Sequence, residues 1–387
     1  TTFQSLATAI AAQVGTGNLA GAATALIGGG PGAIFWMWVS AFFGMSTIYA
    51  EATLAQQYKV KKDGEVTGGP VYYIRAAFKG TFGKALAAIF AILIVLALGF
   101  TGNMVQSNSI GAAFSEVFSA RNIEIPSIVF GLILAAVIGF IFLGGVNRLA
   151  SVVEKIVPIM AGIYIVGSLV LILMNITALP GAIKMIFVGA FNPEAVVGAG
   201  AGIAVREAIR FGVARGLFSN EAGMGSTPHA HARAKVENPH KQGLAAMISV
   251  FIDTFIILNL TVFSILTTGV LDSGKEGTAL TQAAFTKGFG NFGDIFVAVC
   301  LLFFAFSTIL GWHFFGEVNV KYLFGEKAAK FYSILVIGFV IVGSTLKVQL
   351  VWSLSDFFNG LMVIPNAIAL WALSGVVVKI CKQYGKK

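Results

Sequence analysis

The sequence predicts an all-α polytopic membrane protein, a five-plus-five inverted repeat with broken first and sixth helices. Three observations carry this prediction. Of 387 residues, 57% are hydrophobic and only 11% are charged, where an ordinary soluble domain carries about 25% charged residues. Apolar runs long enough to cross a bilayer recur along the whole chain. The first of these runs is interrupted at its centre by Gln13-Val14-Gly15-Thr16-Gly17-Asn18. Unwound backbone at membrane depth is tolerated only where protein buries it or where it lines a cavity.

Ten spans follow from the apolar runs, over residues 3–27, 31–58, 84–116, 125–146, 151–177, 197–224, 243–270, 293–322, 330–348 and 350–380. Each is expected to be a helix, because the period-two alternation of barrel strands is absent and only helices and closed barrels satisfy their backbone in lipid. The first span holds no charge from Thr2 to Ile27 and ends in the turn Gly28-Gly29-Gly30-Pro31-Gly32. The second carries Glu51 and leads to the turn Thr67-Gly68-Gly69-Pro70. The third sets Asn103, Gln106, Ser107 and Asn108 among apolar neighbours. Such groups contact substrate or bind helices together at about 1 kcal/mol or less each. The sixth is led in by Arg206, Glu207 and Arg210, and the seventh carries Asp253. A charge near the bilayer centre costs at least about 2.5 kcal/mol, so Glu51 and Asp253 each need a partner or a wet cavity. The eighth contains Phe303-Phe304-Ala305-Phe306-Ser307-Thr308-Ile309-Leu310-Gly311-Trp312-His313. The whole chain forms one transporter domain, 1–387, with repeats over 1–177 and 197–380.

Charge sets the orientation. Lysines and arginines gather after the even-numbered spans and in the tail, at Lys59, Lys61, Lys62, Arg75, Lys79, Lys84, Arg148, Lys155, Arg233, Lys235, Lys241, Lys321, Lys327, Lys330 and Lys379 onward. Eighteen of the 26 basic residues lie on that side. The positive-inside rule therefore places both ends in the cytoplasm of a cell membrane. The net charge of +9 is loop charge and does not indicate nucleic acid. Cys300 and Cys381 stand in or beside apolar spans and read as buried free thiols. The chain opens inside a span, so a preceding segment is expected.

An odd repeat unit placed in tandem must invert. Gly17-Asn18-Leu19-Ala20-Gly21 in the first span has a counterpart, Ser219-Asn220-Glu221-Ala222-Gly223, in the sixth. A break in the first helix exposes N–H groups at Thr16, Gly17 and Asn18, the positive end of a half-helix, which suits a carboxylate. The carbonyls from Ala11 to Val14 end the first half and suit a small hard cation. Ser307 and Thr308 either add oxygen ligands or bond back to their own helix. Trp312, one turn beyond Thr308, walls a pocket or marks an interface belt. His229 and His231 form an H-x-H in a basic loop with no further ligand nearby, and His313 reads as a buried hydrogen-bonder. No catalytic constellation appears, so the chain does not read as an enzyme. A Gly-x-Gly nucleotide turn needs a preceding strand that this charge-free span does not supply.

The motifs GTGNLAGAATAL, GGPGAIFWMW, YAEATLAQQY, TGGPVYYI and RGLFSNEAGMGSTPHAHA resemble the alanine or glycine:cation symporter family, within the amino acid–polyamine–cation superfamily. The resemblance spans nearly the whole chain. It implies import of alanine or glycine with Na+, or alternatively H+, and the inverted-repeat fold of the bacterial leucine transporter. It further implies that amides at Thr16 and Gly17 bind the substrate carboxylate. Ala11, Val14 and Phe304 carbonyls with Ser307 and Thr308 hydroxyls would hold Na+, and Asn18 is a further ion-ligand candidate. Phe218, Ser219 and Asn220 with Gln106 would meet the ammonium group, while Phe218 and Trp312, beside Thr308, would cap the pocket. The resemblance also implies one more helix before residue 1. A proton-coupled variant would run through Glu51 or Asp253. A channel would instead need a continuous polar pore.

Overall fold

The computed structural model describes residues 2–62, 64–142, 145–192 and 205–385. The first span is two half-helices, α1 (Thr2–Gln13) and α2 (Ala22–Gly29), joined through residues 14–16 and a wide π turn at Gly17–Gly21. The segments Ser5–Gln13 and Gly17–Gly29 meet at 42°. Two glycines explain the failure to run straight, since each costs about 1 kcal/mol against Ala in a helix interior. The second span, α3 (Gly32–Gln57), begins directly after Pro31, whose fixed φ suits a helix start. A hairpin follows, β1 (Val60–Lys62) and β2 (Glu65–Thr67), antiparallel with Val60 opposite Thr67. Helix α4 (Pro70–Ala77) then precedes the third span.

That third span runs 40 residues, Gly80–Ser119, as α5 (Gly80–Ile94), a π stretch at Val95–Gly102 and α6 (Asn103–Ser119). Helices α7 (Ser127–Phe142) and α8 (Gly145–Met174) are the fourth and fifth. After a bend of 77° comes α9 (Leu179–Phe191), a helix the hydropathy pattern did not separate. The sixth span is α10 (Val205–Asn220), which stops at Asn220. Its expected start, 197–204, lies outside the described residues. The chain then resumes in a short helix, α11 (Pro228–Ala232). The seventh is α12 (Pro239–Val250), a π stretch at Phe251–Leu258 and α13 (Asn259–Thr268). Helix α14 (Gly277–Phe289) turns into the eighth span, α15 (Gly293–Phe324). The ninth and tenth are α16 (Glu326–Thr345) and α17 (Val348–Ala372). The tail forms its own helix, α18 (Ser374–Tyr384), where the tenth span was expected to continue to 380.

Side chains sort by solvent. Phe42, Phe43, Phe140, Leu173, Ile334 and Phe357 are large, apolar and exposed, as a lipid-facing surface requires. The interior holds the polar residues: Gln13, Thr16, Asn18, Gln106, Ser219, Asp253, Ser307 and Thr308 are all buried. The α1–α2 pair lies against α15, α8 and α10. Helix α3 lies along α12 and α10.

Charged loop residues form two ion-paired clusters. Arg233 pairs with Glu65 at 3.4 Å, and Lys321 with Glu317 and Glu326 at 2.9 and 3.0 Å. At a second cluster Arg121 pairs with Asp294 at 2.7 Å and Lys275 with Glu116 at 2.7 Å. The thiols differ from expectation in one respect. Both are free, but only Cys300 is buried; Cys381, on the basic tail helix, is exposed.

Candidate functional site

The break in the first helix faces the middle of α15. Thr308 Oγ1 lies 2.9 Å from the Ala11 carbonyl oxygen, 3.4 Å from that of Val14 and 3.0 Å from that of Phe304. Ser307 Oγ lies 2.9 Å from the Phe304 carbonyl and 3.4 Å from that of Ala11. All five groups expected around a cation thus converge. A hydroxyl carries one proton, so two hydroxyls cannot satisfy every carbonyl at once. The carbonyls of Ala11 and Val14 also end a half-helix, where the dipole is negative. This neutral, oxygen-only set fits a small hard cation. The two hydroxyls bond back to Phe304 and also reach the first-helix carbonyls.

Glycine at the notch is dictated by proximity. A Cβ on Gly15 would fall 2.5 Å from Thr308 Oγ1 and 3.2 Å from Gln106 Oε1. One on Gly17 would fall 2.9 Å from Ser219 Cα and 3.2 Å from the Phe218 ring. The two interrupted helices therefore touch through backbone, which only a residue without a side chain permits.

The notch amides are not free as expected. Thr16 N–H donates to Gln106 Oε1 at 3.2 Å, and Asn18 N–H to the Gly15 carbonyl at 3.3 Å. The Gln106 side-chain carbonyl thus accepts the Thr16 amide. Thr16 Oγ1, Gln106 Nε2 and Gln13 Oε1 are buried without a partner. Buried polar atoms are normally hydrogen-bonded, so three orphans around one notch mark a polar site. Gln106 is alone among the third-span amides in reaching it. Asn103 bonds its own helix at Gly99, and Asn108 ties α6 to the Gly343 and Leu346 carbonyls.

Asn18 turns its Nδ2 to Asp253 Oδ1 at 2.7 Å and its Oδ1 to the Gly15 N–H at 2.9 Å. Its carbonyl oxygen thus braces the notch. Asp253 also receives Ser219 Oγ at 3.0 Å and Thr254 Oγ1 at 2.9 Å. Asn220 donates to Thr254 Oγ1 at 3.2 Å, and its own carbonyl accepts from Gln13 Nε2 at 2.7 Å. Asp253 is therefore the joint between both breaks, held by neutral donors. Ser219 and Asn220 lie at the notch with their side chains committed to the seventh span. Phe218 and Trp312 meet edge to face at 5.5 Å, and Trp352 packs on Phe218 at 4.7 Å. Trp312, 1% exposed, is buried and is not an interface anchor.

The break after α10 is stabilised by Glu51. Its carboxylate accepts the Gly223 and Gly225 amides at 3.1 and 2.8 Å and Asn366 Nδ2 at 2.6 Å. Beyond it, His229 and His231 are buried in α11 and not in an open loop, which corrects the sequence expectation. His229 Nδ1–H donates to the Ser226 carbonyl at 2.7 Å, and its Nε2 accepts from Asn319 at 2.9 Å. Both histidines hold structure, and among the described residues no acidic, histidine and cysteine cluster fit for a metal occurs.

Sequence reasoning missed Glu221 and Arg215. Glu221 is buried with φ +57° and binds Trp312 Nε1 at 2.7 Å. A charge inside an apolar span was the available signal. Arg215 forms a two-pronged pair with Asp356 at 2.7 and 2.6 Å and lies 4.3 Å over the Trp352 ring. That pairing joins residues 141 apart and left no sequence signal.

Comparison with known proteins agrees with this geometry. A family profile described as "Sodium:alanine symporter family" matches residues 1–387. The sodium/alanine symporter of Methanococcus maripaludis is 42% identical, over 99% of this chain and 84% of that protein. An amino-acid carrier protein of Bacillus subtilis is 44% identical, over 97% and 78%. A Bacillus subtilis protein named as a probable sodium/glutamine symporter is 42% identical, over 100% and 78%. Among solved structures, a manganese transporter mutant of Eremococcus coleocola superposes with a TM-score of 0.60 at 14% identity, over 96% of this chain and 76% of that one. At that identity the match speaks for the fold alone.

Proposed function

The chain belongs to the sodium:alanine symporter family, and from that premise we propose that it imports small neutral amino acids, alanine and glycine, with Na+. The family is one of transporters, and the protein is a multi-pass membrane protein and not an enzyme. The observation that carries the reading is the convergence of Ala11, Val14, Phe304, Ser307 and Thr308 oxygens beside the orphaned polar atoms of Thr16 and Gln106.

In this reading Na+ is held by the three carbonyls and two hydroxyls, while the amides of Thr16 and Gly17 take the substrate carboxylate. Gln106 gives up its bond to Thr16 and turns toward the ligand. Its Oε1 and the carbonyls near Ser219 and Asn220 accept from the ammonium group. The ion draws the end of α1 against α15, and the carboxylate completes the start of the second half-helix, so each ligand orders the notch for the other. Linkage makes that coupling reciprocal. Phe218 and Trp312 bound the side chain, which favours alanine and glycine over the larger glutamine named for one relative. The five-plus-five inverted repeat, 1–177 and 197–380, and the cytoplasmic position of both ends belong to the same proposal. One charge crossing 100 mV supplies about 2.3 kcal/mol, roughly a fifty-fold accumulation.

A specific observation supports proton coupling as the second reading. Glu51, Glu221 and Asp253 are buried, and none has a basic partner among the described residues. Labelled-alanine uptake into proteoliposomes separates the two. Accumulation driven by a Na+ gradient at constant pH is expected. Accumulation driven only by a pH gradient would select the second reading, and none under either gradient would defeat symport.

A further inference from the structure

We propose that Glu221 is a positioning residue of the substrate pocket, whose carboxylate fixes the Trp312 indole and thereby sets the largest side chain accepted. The inference rests on the reading that Phe218 and Trp312 bound the substrate.

Glu221 is the first residue past the end of α10, and its N–H closes the last turn on the Leu217 carbonyl at 2.9 Å. It then adopts φ +57°, a left-handed conformation that a non-glycine residue holds only when its surroundings require it. Both carboxylate oxygens are committed. Oε1 accepts from Trp312 Nε1 at 2.7 Å, and Oε2 accepts from Ser226 Oγ across the break. The left-handed turn aims the side chain at α15, which four helices, α11 to α14, separate from α10 in the chain.

The Trp312 ring is otherwise fixed by apolar contact alone. Phe218 meets it edge to face at 5.5 Å, and Gly102 lies so close that a Cβ there would fall 2.5 Å from Cζ3. Such contacts resist translation but select orientation weakly. The indole N–H is the ring's one donor, and its directional bond to the Glu221 carboxyl oxygen fixes the tilt that apolar contacts leave open. Trp312 stands one turn beyond Thr308 on α15 and opposite the Phe218 that contacts the notch at Gly17. A change in its tilt therefore changes the depth available to a side chain, with the cation donors left in place.

The test is the ratio of kcat/KM for alanine to that for glutamine in reconstituted uptake. Glu221→Ala and Trp312→Phe, which keeps an aromatic ring but removes the N–H and part of the indole's bulk, are each expected to lower that ratio about tenfold. The double variant should fall no further, because both changes remove one bond. Glu221→Gln, which restores an acceptor oxygen, should recover most of the ratio. Trp312→Phe carries the test without disturbing the left-handed residue, should Glu221→Ala fail to fold. An unaltered ratio in Trp312→Phe, or additive losses in the double variant, would overturn the positioning role alone. A ratio in Glu221→Gln as low as in Glu221→Ala would also overturn it, because the restored acceptor oxygen would then not matter. Wild-type transport of neither amino acid would overturn both this role and the proposed function.

Discussion

At the scale of single residues, distances decide what each group does. Gly15 is the sharpest case. Alanine is the better helix former by about 1 kcal/mol, yet its Cβ would displace the Thr308 hydroxyl. Gly15→Ala should therefore melt at or below the wild-type temperature and lose at least about tenfold in alanine uptake. Full uptake would remove Gly15 from the site. Thr308→Ala removes an oxygen that faces three carbonyls. The half-saturating Na+ concentration should rise about tenfold to a hundredfold, the range for losing one partner of a charged group. Thr308→Ser should recover most of it. Unchanged Na+ dependence in Thr308→Ala would place the ion elsewhere. Asn18 shows the limit of a residue-by-residue reading. As an asparagine beside a break it read as an ion-ligand candidate. Its amide is instead stretched between Asp253 and the Gly15 N–H, which only the folded chain brings together.

Among the elements, the irregular ones converge on the site. The described spans contain three π stretches: Gly17–Gly21, Val95–Gly102 and Phe251–Leu258. They contribute Asn18, Gly102 against Trp312, and Asp253 with Thr254. A π turn shifts the side chains that follow it and leaves backbone groups less regularly paired, which is why such turns collect at functional sites. Glu51 acts on the other break by serving as its missing acceptor, for the Gly223 and Gly225 amides and for Asn366. Glu51→Ala would orphan the buried Gly223 and Gly225 amides at about 1–3 kcal/mol each, and leave Asn366 Nδ2 with the Gly223 carbonyl. Its melting temperature should fall clearly below that of Glu51→Gln, which keeps one acceptor oxygen, and both should lie below wild type. A wild-type melt for Glu51→Ala would show that the break is held by other contacts. The sequence marked Glu51 as a charge needing a partner, but its partners lie at residues 223, 225 and 366, too far along the chain to foresee.

For the whole molecule, the test is which end faces the cytoplasm. Arg233, Glu65, Lys321 and Glu326 form one charged cluster, and Arg121, Asp294, Lys275 and Glu116 form another. The exposed Cys381 on the basic tail helix reports the orientation, with buried Cys300 as the silent thiol. A membrane-impermeant maleimide should label inverted vesicles and spare right-side-out ones, and Cys381→Ser should abolish the signal. The reverse pattern would invert the proposed topology. The sequence by itself determined the membrane class, the succession of apolar helices and the broken first helix. These follow from composition and local pattern, because lipid forces every backbone group to be satisfied within its own segment. It also marked Ser307 and Thr308, whose hydroxyls stand out against phenylalanines. Only the tertiary structure decided that Asp253 joins the two breaks, that His229 and His231 are buried, and that Glu221 reaches Trp312. Those outcomes depend on which helices lie side by side, a matter of packing between residues 34 to 235 positions apart and not of any local preference.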